Sequence, residues 1–190
     1  MQQMKIQSNA TPSEKSSPFY KINEDFCREF EDFIASKSGK VSGRYNAWTY
    51  FIQAEILTPK SWHLKYKKAT FSSTGNLILA SKEQSLLTLV EWATPRAGSD
   101  GNEFRIRVKN SVGWAERFFN KKLTVFRYSK DFLIMGEKEN PRLIENLYQK
   151  LKPLFTTREI FSIVLKNNTL TISLRTEKHH FNFFDKLLDL

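Results

Sequence analysis

The sequence predicts an α+β fold: a single domain built on an antiparallel sheet of about five to seven strands, with helices packed on one face. Three observations support this. Two well-separated segments carry apolar residues at helical spacing, several others alternate apolar and polar residues with period two, and the strand-like segments cluster between the helices. Regular strand and helix alternation would signal a parallel sheet, and it is missing here.

Residues 1–18 contain four Ser and two Pro and little apolar content, so they read as a flexible N-terminal tail ahead of a domain over residues 19–190. From Asn23, a capping residue followed by Glu24 and Asp25, apolar residues recur at Phe26, Cys27, Phe30, Phe33 and Ile34. Lys37 and Gly39 close the pattern, which predicts a helix over about 23–37. The period then falls to two. Trp48, Tyr50, Ile52, Ala54 and Ile56 alternate as far as Pro59, and a second strand places Trp62, Leu64 and Tyr66 on one face and His63, Lys65 and Lys67 on the other. Residues 72–76 look like a turn into a short strand over 77–80. The segment 85–93 fits helix or strand, with strand preferred, and 94–102 is rich in loop formers.

Strand character returns at Phe104, Ile106 and Val108, interleaved with Arg105, Arg107 and Lys109. Residues 113–120 suggest a short helix and 123–136 contain strand-like runs. Asn140 and Pro141 open a second long helix whose stripe is Leu143, Ile144, Leu147, Leu151 and Leu154. Phe161, Ile163 and Leu165 then face Leu170, Ile172 and Leu174 across Asn167-Asn168, the pattern of a β-hairpin. Phe181, Phe184, Leu187 and Leu188 are spaced for a closing helix.

With 190 residues, 40% hydrophobic and 14% aromatic, the chain can bury one sizeable core without disulfides or metals. Its single cysteine, Cys27, fits a reducing compartment. No secretory leader and no run of about 18 apolar residues is present, so a cytoplasmic, soluble protein with no transmembrane segment is expected. The net charge is +10 and the pI about 9.7, which points to anionic partners. Lysine outnumbers arginine 20 to 10, a balance that also serves solubility.

No phosphate loop, nucleophile elbow, zinc ligand set or dinucleotide fingerprint occurs, so no cofactor and no catalysis are expected. His179 and His180 are adjacent and diverge, which suits a surface or helix-start role better than metal binding. Glu55, Asp100, Glu103 and Lys109 would be the groups of a metal-dependent hydrolase or nuclease, but their spacing is wrong for a strand-borne set. Cys27 fits a small buried apolar position, its pKa raised by Glu24, Asp25 and Glu29. Trp48, Trp62, Trp92 and Trp114 read as core anchors, and any left exposed would mark a contact site.

The strongest functional signal is the acid-free stretch 56–81, where Lys60, His63, Lys65, Lys67 and Lys68 are flanked by Trp62, Tyr66 and Phe71. Alternation alone explains it if the aromatics face the core and the cations face solvent. Arg105, Arg107 and Lys109 repeat the pattern, and if the two strands are neighbours the rows merge into one cationic surface. The expected function is therefore a non-enzymatic binding or scaffolding domain whose cationic sheet face contacts an acidic protein or an anionic surface. Nonspecific RNA or DNA binding through the same residues is the alternative.

Overall fold

The computed structural model describes residues 5–71, 85–95, 103–109, 123–136 and 140–190. Its strands are β1 (Ile6–Ser8), β2 (Lys40–Tyr45), β3 (Tyr50–Ile56), β4 (Trp62–Phe71), β5 (Ser85–Pro95), β6 (Phe104–Val108), β7 (Thr124–Val125), β8 (Phe132–Met135), β9 (Ile160–Lys166) and β10 (Thr169–Arg175). The helices are α1 (Pro12–Lys15), α2 (Pro18–Ser36), α3 (Pro141–Thr156) and α4 (Phe181–Asp185).

This architecture corrects the expected fold class. In place of five to seven antiparallel strands covered by helices on one face, the described residues form one mixed sheet of ten strands, in the order β1-β2-β3-β4-β5-β10-β9-β6-β8-β7, with four helices among them. Two physical causes account for the difference. Strands of two to four residues, such as β1, β7 and β8, are too short to show a period, and β1 runs parallel to β2 with Ile6 opposite Gly43. The segment expected to be a tail thus carries β1 and α1. The turn expected at 72–76, the strand at 77–80 and the helix at 113–120 lie outside the described residues.

The chain divides into two compact units, Met1–Glu91 with Thr176–His179 and Trp92–Arg175 with His180–Leu190. In the first, α2 starts at Pro18, capped by Ser17, whose hydroxyl accepts from the Phe19 amide at 3.3 Å. Asn23, the expected cap, is fully buried inside the helix. Its Nδ2 donates to the carbonyls of Asn46 at 2.8 Å and Ala47 at 3.1 Å. Asn46 Oδ1 in turn accepts from the Trp48 and Thr49 amides at 2.9 and 2.8 Å, so α2 pins the β2–β3 turn.

Cys27, Phe30 and Ile34 form the buried stripe of α2. Phe26 stacks on Tyr50 with ring centroids 4.7 Å apart, and Phe30 meets Tyr66 edge-on at 5.0 Å. Ile52, Ala54 and Ile56 of β3 and Trp62, Leu64 and Tyr66 of β4 complete this core, each large side chain contributing roughly 1.5–3 kcal/mol by burial. The helix ends with Ser38 in the left-handed region, and Gly39 is required for contact, since a Cβ there would sit 2.6 Å from Ile34 and 2.8 Å from the Glu55 carbonyl.

In the second unit the predicted stripe of α3 is buried throughout, joined by Phe155. Phe126, Tyr128, Phe132, Tyr148 and Phe155 form a ring cluster, with Tyr128 and Tyr148 stacked at 4.6 Å. The expected hairpin is present as β9 and β10, with Asn167 and Asn168 both at positive φ, as a tight two-residue turn demands. α4 is shorter than its apolar spacing suggests, though Phe184 and Leu187 are both buried.

Candidate functional site

In the first unit, antiparallel register sets which side chains share the solvent face of β2, β3 and β4, because residues directly opposite point the same way. Arg44 lies opposite Phe51, and Phe51 opposite Lys67; Ser42, Gln53 and Lys65 form the next row, and Lys40, Glu55 and His63 the third. Rows are about 7 Å apart along the strands. Arg44, Phe51, His63, Lys65 and Lys67 are all exposed.

The face is cationic at one end and mixed at the other. Lys65 Nζ is 3.3 Å from Glu91 Oε1, an exposed pair worth little. Gln53 Nε2 donates to Ser42 Oγ at 3.1 Å. Lys40, Ser42, Gln53, Glu55, His63 and Lys65 line a depression of about 190 Å³, whose polar atoms include both donors and acceptors.

The other sequence-predicted residues fall elsewhere. Lys60 is half-buried beyond the end of β3, after the cis Thr58-Pro59 bond. Arg105, Arg107 and Lys109 belong to the second unit, apart from the β2–β4 face of the first. Arg105 lies opposite Val164 and Met135, and Arg107 opposite Ser162 and Leu133. Leu133 is only 6% exposed and both arginines are half-buried. Lys109 is exposed, its amide donating to the Asp131 carbonyl at 2.8 Å.

Of the groups weighed for catalysis, Glu55 stands beside His63 in the first unit. Glu103 is at the foot of β6 in the second, its carboxylate accepting from the Asn167 amide at 3.4 Å, and Asp100 is outside the described residues. No three His, Cys, Asp or Glu side chains converge among the described residues. Both adjacent histidines leave the surface. His179 is 8% exposed, stacked on Phe26 with ring centroids 3.6 Å apart, and His180, which precedes α4, bonds Glu159 at 2.6 Å.

The Cys27 thiol is pushed up to about 12, first by burial and then by Glu31, rather than by Glu24, Asp25 and Glu29 as expected. Trp62 and Trp92 are fully buried and Trp114 lies outside the described residues. Trp48 is 54% exposed, a correction to its expected core role. It sits in the turn before β3, out of the alternation, with its ring 5.7 Å from that of exposed Phe19.

Sequence reasoning missed Arg44 and Phe51. Alternation already set Phe51 opposite in direction to Tyr50 and Ile52, which was a usable signal, whereas Arg44 sits in a strand that carries no clear period. No helix among the described residues is long and apolar enough to cross a membrane. Compared with known proteins, the chain matches no family model, no curated protein and no solved structure.

Proposed function

We propose that the protein is a non-enzymatic binding or scaffolding module that contacts a polyanionic partner through the solvent face of β2–β4. The carrying observation is the register that sets Arg44 and Lys67 on either side of Phe51, one row from Lys65, on three consecutively paired strands. Arg44 and Lys67 flank Phe51 on the two neighbouring strands, so an anion lying across the row meets both. The chain's net charge of +10 adds long-range attraction.

Retention on a heparin column at neutral pH tests this reading. The pair Arg44→Glu and Lys67→Glu is expected to elute at much lower salt than the pair Lys152→Glu and Lys178→Glu, which changes net charge equally at two exposed positions elsewhere. Equal elution of the two pairs would show that net charge, and no particular face, governs binding.

A further inference from the structure

We infer that the polyanion is a single-stranded nucleic acid, with Phe51 as a stacking platform between two phosphate contacts, Arg44 and Lys67. This rests on the polyanion reading and narrows it to one class of partner.

The ring is the discriminating feature. Phe51 is 49% exposed in the middle of a cationic row, so its π-face is open to a stacking partner held by the flanking cations. Polyglutamate satisfies the cations but brings no ring to Phe51, and a lipid surface takes the ring only by burying it among acyl chains, against the polar rows beside it. A nucleotide satisfies both, since its phosphate meets Arg44 or Lys67 and its base covers the ring. A duplex keeps its bases stacked on each other, so only a single strand offers a base to a ring on a sheet face.

The neighbouring depression fits the same partner. It begins one row away, about 7 Å along the strands, close to one nucleotide step of an extended strand. Gln53 and Ser42 supply an amide and a hydroxyl, and Glu55 an acceptor, the kinds of group that hydrogen-bond a base edge. The Glu55 carboxylate disfavours a phosphate at that end, so the phosphates fall to the Arg44 and Lys67 row.

Fluorescence anisotropy of the full chain with a labelled oligouridylate of about a dozen nucleotides tests the inference. The same-length RNA duplex, poly-L-glutamate and phosphatidylserine vesicles serve as competitors at about 50 mM salt. The single strand is expected to bind best. Phe51→Ala and Phe51→Leu are each expected to weaken it about 5- to 150-fold, while Phe51→Trp retains binding, because leucine keeps apolar area without a π-face. Each of Arg44→Gln and Lys67→Gln is expected to lower the salt slope by about 0.7. Unchanged binding by Phe51→Leu, or stronger competition from the duplex, polyglutamate or vesicles, overturns the nucleic-acid inference and leaves the polyanion reading standing. If no probe binds, or if Arg44→Glu with Lys67→Glu binds every probe like the parent, both fall.

Discussion

Strands β4 and β6 carry the same pattern in sequence, three apolar residues interleaved with three basic ones, yet they present different surfaces. On β4 Lys67, Lys65 and His63 lie opposite Phe51, Gln53 and Glu55 and are exposed, Lys65 beside Glu91. On β6 the arginines lie opposite Leu133, Met135, Ser162 and Val164 and are half-buried. Alternation decides only that the charges leave the core. What the neighbouring strand places opposite them goes with whether they stay exposed, as on β4, or half-buried, as on β6.

The largest expected effect breaks the first surface at its root. Gly43 stands opposite Ile52, and a Cβ there would collide with the Phe51 carbonyl and come within 2.7 Å of Ile52 Cα. Gly43→Ala is expected to destabilise by about 3 kcal/mol through strain and displaced pairing. It should expose β2 amides to hydrogen exchange while those of β9 and β10 keep their protection; uniform loss across both units would contradict a local origin. Asn23→Ala follows at about 2 kcal/mol, since it strips two turn carbonyls of their buried donor. Urea midpoints measure it, and a shift below about 0.5 kcal/mol would mean that α2 does not hold the β2–β3 turn.

These two residues also show why the fold was only partly legible. Period-two alternation exposed β3, β4 and β6, each of which buries an apolar set on one face, and also the β9–β10 hairpin, although a register shift there buries Ile160 in place of the expected Phe161. β2 escaped notice because its inward positions, Val41, Gly43 and Tyr45, include a glycine whose value lies in close approach rather than hydrophobicity. Asn23 misled for a related reason: a residue type suited to helix caps was used for a tertiary bond, and Ser17-Pro18 did the capping. The site was half legible. His63, Lys65 and Lys67 were found, but the row that joins Lys67 to Phe51 and Arg44 exists only through register, which one sequence does not encode locally.

A paired substitution sharpens the comparison of the two rows. Arg107→Glu is expected to cost roughly 1.5 kcal/mol, because a shorter anion takes a half-buried position opposite Leu133 and Ser162. Lys67→Glu, on an exposed position, is expected to stay within about 0.5 kcal/mol and to act on binding instead. Equal costs in chemical denaturation would mean that the two rows do not differ in kind.

The smallest effect concerns pH and belongs to the first unit, where burial raises the pKa values of Cys27, Tyr45 and Tyr50. For Cys27 the ordinary value is 9.0 and the folded value about 12, so the unfolded chain loses its thiol proton first. Stability from this group is complete below about pH 9 and declines as pH rises toward 12. Between pH 8 and 10 the thiol is expected to account for about 1 kcal/mol of lost stability. Cys27→Ala, although less stable at neutral pH for want of a packed sulfur, should therefore show a shallower decline over that range. Parallel declines for the two proteins would assign the alkaline sensitivity to the tyrosines of β2 and β3, and would remove the thiol as its cause.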